Sequence, residues 1–140
     1  MKIARIPLEG RGVRLEPLTL EHVDGLWQAG SDPEIWRLMT EHVRSREEMQ
    51  AYVERALRAE RQGTALTFAT VLREGNLVVG TTRFGNLDPV NRHAEIGWTW
   101  IGAGFQRTGA NREAKLLQLS HAFETLEAER VEFKAHARNV

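Results

Sequence analysis

A glycine-rich loop between a strand pattern and a helix pattern constrains this chain more than any other stretch of its sequence. The loop runs from Gly102 to Gly109. It lies between residues 92–101, which alternate in polarity as a strand does, and residues 111–127, which keep a helical period. The first amides of a helix lack intrahelical acceptors and lie at the positive end of the helix dipole. Glycine there lets the backbone approach a ligand closely, so the arrangement predicts an anion site, above all for phosphate.

The two elements that flank the loop have predictable apolar faces. Strict alternation gives the strand one apolar face, made of Ala94, Ile96, Trp98 and Trp100. The helical period gives the helix one apolar stripe, made of Leu116, Leu119, Phe123 and Leu126. We expect both sets to pack into the core, and the alternative for the two tryptophans is that they line a pocket.

Three phosphate-binding motifs compete for this loop. A P-loop needs glycine, four residues, then glycine, lysine and a hydroxyl residue. Gly104 and Gly109 have that spacing, but alanine and asparagine follow. The dinucleotide fingerprint begins with Gly102 and Gly104, then meets Arg107 where its third glycine belongs, so a nucleotide-binding protein is a distant alternative. The remaining pattern, Gln-x-x-Gly-x-Ala/Gly, fits Gln106 and Gly109 and departs only at its last position.

The remaining segments predict a mixed sheet with helices around it. Strand patterns occur at residues 13–16, 66–73, 77–84 and 131–136, and helix starts occur at Thr19, Asp32-Pro33 and the capping box 45–48. A tight turn at 74–76 makes two of the strands a hairpin, and Gly80 predicts a bulge or a close backbone approach. The final strand, helix and strand form a crossover, which makes those two strands parallel. We predict a single α/β (α+β) domain over residues 1–140.

Composition narrows the classes of function. Lysine plus arginine equals aspartate plus glutamate, 19 each, so no overall field favours nucleic acid or an anionic membrane, and we expect neither partner. No apolar stretch reaches the roughly 18 residues of a membrane helix, and residues 1–10 lack the apolar core of a secretory signal. The chain has no cysteine, which excludes disulfides and thiol nucleophiles and fits a cytoplasmic location. Its 5 histidines lack metal-ligand spacing, so we expect no metal site.

The loop pattern resembles the coenzyme-A pyrophosphate loop of the GNAT (GCN5-related N-acetyltransferase) superfamily, and the likeness extends over about residues 11–140. The segments that resemble its branch related to the ribosomal-protein acetyltransferases RimJ and RimL are 14–18 (RLEPL), 80–84 (GTTRF), 94–98 (AEIGW), 111–115 (NREAK) and 130–134 (RVEFK). Loop, strand order and flanking segments together make the likeness specific. It implies a GNAT-type fold and acetyl-CoA as cosubstrate without a metal. It also implies transfer of the acetyl group to a primary amine of a small molecule or a protein N-terminus.

The resemblance also implies which residues bind the cosubstrate. Backbone groups of Thr99, Trp100 and Ile101 would pair with the pantetheine arm as though it were another strand. The loop residues that the resemblance assigns to the cosubstrate are Gln106, Arg107, Gly109, Ala110, Asn111 and Arg112, with the amides from 107 and 109–112 holding the pyrophosphate. Asn111 stands where the pattern has a small residue, and Asn139 stands where the family often has an asparagine that contacts the cosubstrate.

Glu95 is the candidate catalytic base. The resemblance implies direct attack of the amine on the thioester in a ternary complex, and the lack of cysteine agrees, because no acyl-enzyme can form on sulfur. An ammonium must first lose a proton, so we expect a base near the strand before the loop. Glu95 lies on that strand opposite the tryptophan face and could act directly or through water; a solvated or cross-strand-paired glutamate is the alternative. His93 is a weaker candidate, because a histidine at a strand end is more often simply exposed.

Members of the superfamily continue with a helix and two strands beyond the point where this sequence stops, so we expect a C-terminally incomplete sheet. Those strands often carry a tyrosine acid. Tyr52 is the only tyrosine here and lies on an early helix, so the general acid stays unassigned. The alternative function is therefore a catalytically inactive acyl-CoA-binding or protein-interaction domain on the same fold. An incomplete sheet leaves its last strand edge open, so a homodimer through that edge is a further hypothesis.

Overall fold

The fold is built on a mixed sheet, to which the described residues contribute six strands. The structure, a computed structural model, describes residues 3–37, 39–106 and 108–133. The strands are β1 (Leu8–Glu9), β2 (Val13–Pro17), β3 (Leu66–Leu72), β4 (Leu77–Asp88), β5 (His93–Ile101) and β6 (Arg130–Phe133). The α-helices of these ranges are α1 (Val23–Gly30), α2 (Arg46–Arg61) and α3 (Ala110–Glu124). The predicted order of elements is confirmed from β2 onwards, whereas the sequence did not predict the two-residue strand β1. The Asp32-Pro33 signal starts only a single 3₁₀ turn, Pro33–Ile35.

The order of strands in the sheet follows their order in the chain. Each neighbouring pair is antiparallel except β5 and β6, which are parallel, because α3 carries the chain back across the sheet between them. The predicted crossover is therefore confirmed. It places the start of α3 at the end of β5, which is where the glycine-rich loop lies.

Gly80 combines both features that the sequence predicted for it. The register of β3 and β4 shifts beside it, because Thr70 pairs with Gly80 and Val71 pairs with Val78, which leaves Val79 as the extra residue of a bulge. A Cβ on Gly80 would stand 2.0 Å from the carbonyl oxygen of Trp100, so only glycine lets β4 and β5 approach this closely.

The helices divide the core between the two faces of the sheet. On one face, α3 packs over a cluster that includes Phe68, Phe84 and Ile96. On the other face, α1 and α2 pack over a cluster that includes Leu26, Met49 and Trp100. Burial of each large apolar side chain stabilises the fold by about 1.5–3 kcal/mol, so both faces contribute to stability.

Side-chain caps position α1 and α2 against the sheet. Before α1, His22 Nδ1 accepts from the Thr19 amide at 3.0 Å, so its Nε2 carries the proton and donates to Glu16 at 2.9 Å. Before α2, the Ser45 hydroxyl accepts from the Glu48 amide at 3.1 Å, which forms half of the predicted capping box. The other half differs from the prediction, because the Glu48 carboxylate accepts from the Arg44 amide and not from that of Ser45.

The predicted apolar stripe of α3 is wrong for two of its four residues. Leu116 and Phe123 are 54% and 51% exposed, whereas Leu126 is buried and Leu119 is partly buried. The face that α3 turns to the sheet consists of Ala110, Ala114, Gln118, His121 and Ala122. Three of these five residues are alanine, and small side chains let the helix lie close to the strands. Close approach therefore selects a face that hydrophobic periodicity alone does not identify.

The predicted alternation of β5 is also wrong beyond Ile96, because a bulge interrupts the strand. Gly97 pairs with Arg83 and Trp100 pairs with Thr81, so Trp98 and Thr99 together oppose a single residue of β4. Trp98 has a left-handed backbone with φ of 50°, which bends the strand at this point. Ile96 consequently faces α3, whereas Trp100 faces α1 and α2, where its ring contacts Trp36 with centroids 5.0 Å apart and planes tilted by 53°. Trp100 is thus a core residue, as expected, but on the opposite face from Ile96.

Candidate active site

An open strand edge follows the bulge in β5. The pairing of β5 with β6 runs from His93 opposite Arg130 to Ile96 opposite Phe133, and among the described residues nothing pairs with the outer edge of 99–101. The side chains of Trp100 and Ile101 are buried, so these two residues present backbone groups alone at that edge. Unpaired strand backbone is a template for an extended ligand. The predicted role of 99–101 is therefore geometrically available.

The start of α3 lies next to this edge and offers free amides. Gly109, with φ of 84°, is the N-cap and has no side chain that could accept from the first turn. The Ala110 amide has a long contact of 3.4 Å to the Thr108 hydroxyl. Helix geometry leaves the amides of Asn111 and Arg112 without intrahelical acceptors. These donors point out of the positive end of the helix, as an anion site requires.

The side chains of the loop have different surroundings. Gln106 Nε2 donates to the Ile101 carbonyl at 3.3 Å, which ties the loop back to the end of β5. Asn111 is partly buried, and its Oδ1 accepts from no described residue. Arg112 is exposed beside the first turn of α3, where its charge adds to the helix dipole. Arg107 and Asn139, the other two predicted contacts, lie outside the described residues.

Glu113 holds the first turn of α3 to β2, a role that sequence reasoning missed. Its carboxylate accepts from the Gly12 amide at 2.9 Å and from the Val13 amide at 2.7 Å. A glutamate in the first turn of a helix is common for dipole reasons alone, so nothing in the sequence marks it as a tertiary contact. The contact fixes the position of the amides that precede it in the helix.

A buried polar network connects α3 to the bulge, and sequence reasoning missed this also. The Thr82 hydroxyl donates to Gln118 Oε1 at 2.8 Å, since a carbonyl oxygen only accepts. The hydroxyls of Thr82 and Thr99 are 2.7 Å apart, and the single Thr99 proton is shared between Thr82 and the Gly97 carbonyl oxygen at 3.2 Å. Gln118 Nε2 is buried and has no partner among the described residues. The network attaches the second bulge residue to the helix that carries the free amides.

The face of β5 and β6 on the α1–α2 side is open. Helices α1 and α2 pack chiefly over β4 and β3, and side chains further along the sheet stay accessible. By alternation, the partly or fully exposed side chains on this face are His93, Glu95, Arg130 and Glu132. We call this surface, together with Arg83 and Trp98, the open face. A reactant bound there would lie beside the strand edge that begins at Thr99.

The two predicted base candidates both lie on the open face. Glu95 is partly buried, and its Oε2 accepts from the Asn86 side-chain amide at 2.5 Å. The donor is an uncharged amide, and Glu95 forms no ion pair with any described residue. His93 Nε2 is 3.4 Å from the Glu132 carboxylate at the start of the strand. Glu95 is nearer in sequence to the bulge, by two residues.

Arg83 also lies on the open face; its segment, 80–84, contributes to the family resemblance, but the sequence assigned it no role. Its guanidinium carbon is 4.2 Å from the centroid of the Trp98 ring. Thr81 lies two residues before Arg83 on β4, and its hydroxyl oxygen is 3.3 Å from the hydroxyl oxygen of Tyr52. Burial raises the pKa of Tyr52. Desolvation lowers the pKa of Arg83 from its usual value, although Tyr52 and Glu41 act in the opposite direction. An arginine remains charged under all ordinary conditions, so this is a cation held partly out of water.

The described residues offer neither a metal site nor a membrane-spanning helix. No group of three or more histidine, aspartate or glutamate side chains among them could hold a metal ion. No helix in the described part of the chain is long and apolar enough to cross a membrane.

Comparison with known proteins gives one family. The family model described as Acetyltransferase (GNAT) domain matches residues 13–140. The Bacillus licheniformis protein named Uncharacterized N-acetyltransferase p20 is 30% identical over 130 residues, which cover 89% of this chain and 70% of that protein.

Solved structures agree in fold. A GCN5-related N-acetyltransferase from Brucella melitensis superposes with a TM-score of 0.89 at 30% identity, covering 99% of this chain and 64% of that one. RimL, a ribosomal L7/L12 α-N-protein acetyltransferase solved in complex with coenzyme A, has a TM-score of 0.70 at 21% identity, covering 83% of this chain and 67% of RimL. At that identity the likeness to RimL is one of fold alone. The chain thus spans about two thirds of the length of these relatives.

Proposed function

The chain belongs to the GNAT acetyltransferase family, and from this premise we propose that it transfers an acetyl group from acetyl-CoA to a primary amine. The family match carries the proposal. The site supports it, because the free amides of α3 and the open edge of β5 meet at one place and suit the two ends of one long ligand. The resemblance that the sequence suggested is thereby confirmed at the level of family and fold.

The two halves of the cosubstrate match the two halves of the site. The pyrophosphate would bind to the amides of 109–112, where a glycine N-cap leaves the first turn without a competing acceptor. The pantetheine arm carries amide groups and would pair with the backbone of 99–101 in place of a strand. Gln106, which is bonded to the Ile101 carbonyl, holds these two segments in a fixed relation.

The chemistry needs an unprotonated amine beside the thioester. Its nitrogen attacks the thioester carbonyl carbon, the carbon–sulfur bond breaks, and coenzyme A leaves as a thiolate that takes up a proton. Glu95 would accept the proton that the amine loses, directly or through water, from its place on the open face. Holding both reactants on a rigid sheet supplies much of the rate, since reaction within a bound complex needs no further encounter.

Release of free thiol from acetyl-CoA tests the proposal. The chain is incubated with acetyl-CoA and a panel of amino acids, peptides with free N-termini and polyamines, and coenzyme A is followed with a thiol reagent. We expect amine-dependent thiol release and detectable acetyl-CoA binding by calorimetry. Binding without thiol release from any amine would instead favour the acyl-CoA-binding domain that does not catalyse transfer.

An Arg112→Glu variant locates the cosubstrate. Reversing this exposed charge beside the free amides should weaken acetyl-CoA binding by roughly tenfold, because it opposes both the phosphate charge and the helix dipole. Arg58→Glu on α2 is the matched control, since Arg58 is equally exposed but far along the chain from the loop. Equal affinities of the two variants would place the cosubstrate elsewhere.

A further inference from the structure

Arg83 is exceptional among the arginines of this chain. In the described ranges, only Arg14 and Arg83 are partly buried, and every other arginine is exposed. Arg14 has a carboxylate partner, Glu16, at 2.7 Å. Arg83 forms no ion pair with any described residue, and its buried Nε makes no hydrogen bond to one. The residues outside the described ranges include no aspartate or glutamate that could serve instead.

The nearby carboxylates do not form an ion pair with Arg83. Glu41 is close enough to act on Arg83 electrostatically, but it pairs with Arg55 at 2.8 Å. Glu95 is on the same face, but it forms no ion pair with Arg83, and its carboxylate accepts from the uncharged Asn86 amide. The Trp98 ring lies over Gly85, the residue directly opposite Glu95 on β4, and also contacts the Arg83 guanidinium. The Trp98 ring therefore holds this cation, and none of the described carboxylates forms an ion pair with it.

A partly desolvated cation without a counter-ion is costly for a folded protein. Stacking on an aromatic ring recovers about 0.5–2 kcal/mol, which is less than the effective cost of several kcal/mol for taking an ion out of water. The planar guanidinium is suited to a carboxylate, which it binds with two parallel hydrogen bonds. An anion that binds as part of the substrate would offset the remaining desolvation cost of the guanidinium.

We infer that Arg83 binds a carboxylate of the amine acceptor on the open face, with Trp98 holding the guanidinium in place. That the ligand is an acceptor rests on the proposed function. Arg83 pairs directly with Gly97, the residue before the bulge, and Glu95 lies two residues before Gly97 on β5, so both lie beside the start of the bulge. An acceptor anchored by its carboxylate at Arg83 would present its amine between Glu95 and the strand edge at Thr99. The substrate class is then an amine that also carries a carboxylate, such as an amino acid or a peptide with an acidic N-terminal residue.

A nuclear magnetic resonance titration tests the anion site without turnover. The Nε–H resonance of Arg83 is identified by its loss in Arg83→Lys. Two matched pairs of probes are added: leucine with leucinamide, and glutamyl-alanine amide with glutaminyl-alanine amide. We expect the acid of at least one pair to shift the resonance and its neutral partner to leave it in place. The first pair reports a free amino acid and the second a peptide side chain. A resonance that does not move with either acid, or that moves equally with the neutral partner, overturns the inference.

Kinetics with the same probes separate this inference from the proposed function. Arg83→Met keeps the apolar stem against Trp98 and removes the charge. It should lower kcat/KM for the acid acceptor on the order of tenfold to a hundredfold, with little change for the amide, because a charge-assisted hydrogen bond is lost. Arg83→Lys should recover part of the preference, and Arg58→Met should keep all of it. Equal losses for acid and amide contradict the site. If only the acid probes shift the Arg83 resonance and no amine releases thiol, the proposed activity is refuted and the anion site is supported.

Discussion

The indole of Trp98 lies over the Cα of Gly85, so closely that a Cβ on Gly85 would stand 2.2 Å from the ring. Trp98 reaches this place because its left-handed backbone turns the side chain across the neighbouring strand. The same ring stacks on Arg83, so one residue connects the bulge of β5 to the cation of the open face. The absence of a side chain at Gly85 is therefore part of the site's construction.

Replacement of Gly85 by alanine should disturb the site and the fold together. The added methyl group occupies space that the Trp98 ring now fills, and overpacking of this kind costs about 1–3 kcal/mol of unfolding free energy. The variant should also lose discrimination between acid and amide acceptors, because the ring no longer supports Arg83. Gly104→Ala is the control, since nothing lies within 4 Å of a Cβ there. Urea unfolding of both variants measures the difference, and equal stability would show that the ring moves aside freely.

Glu113→Ala should destabilise the chain by about 1.5–3 kcal/mol, since a carboxylate that accepts from two backbone amides is lost. Glu124→Ala on the exposed side of the same helix is the matched control and should change stability by less than about 0.5 kcal/mol. The free energy of unfolding in urea checks both. If the two variants prove equally stable, the contact with β2 does not stabilise the native state.

Thr82 and Gln118 should be strongly coupled. Thr82→Val leaves a buried amide without its partner and should cost about 1–3 kcal/mol. In a Gln118→Leu background, both polar groups are gone, and the same change should cost clearly less. A double-mutant cycle should therefore give a coupling free energy of roughly 0.5–3 kcal/mol. Additive effects would mean that the two side chains do not interact in solution.

Acid should destabilise the chain through His121. Burial lowers the pKa of this histidine below its usual value of 6.5, and its Nε2 has no partner among the described residues. The unfolded chain therefore binds the proton first as the pH falls, so this contribution to stability is complete above about pH 6.5 and is lost below it. Unfolding free energies at about pH 7.5 and 5.5 should differ less in His121→Leu than in the unmodified chain. If the unmodified chain and His121→Leu lose the same unfolding free energy between these pH values, other groups cause the acid sensitivity. The same conclusion follows if the exposed-site control His42→Leu has the same effect as His121→Leu.

Glu95→Gln should reduce turnover more than binding. If Glu95 accepts the proton of the amine, kcat should fall by roughly 10²–10⁴ while acetyl-CoA affinity is kept. The variant's rate should recover at high pH, where the amine deprotonates without help. Glu129→Gln, which alters an exposed ion pair at the start of β6, serves as control. If Glu95→Gln leaves kcat unchanged, another group is the catalytic base, and His93 is the next candidate.

Local sequence rules predicted most helices and strands of this fold well, but they predicted the wrong face for residues of α3 and β5. The hairpin turn, the cap at Ser45 and the loop before α3 depend on residues that are close in sequence, so their signals are local. Alternation predicts one face for Trp98 and Trp100 because it assumes an uninterrupted strand, and the bulge depends on how β5 pairs with β4. Leu116 and Phe123 were assigned to the core because periodicity identifies a stripe but not which stripe meets the sheet.

The sequence by itself determined the order of strands and helices, the crossover that makes β5 and β6 parallel, and the glycine-rich start of α3. These follow from backbone preferences and short-range hydrogen bonds, which each segment carries with it. Only the tertiary structure decided that the carboxylate of Glu113 binds β2, that Thr82 connects Thr99 to Gln118, and that Arg83 stacks on Trp98 without an ion pair to any described residue. Those contacts join residues far apart in the chain. They stabilise the protein only after packing has excluded water and brought these residues together.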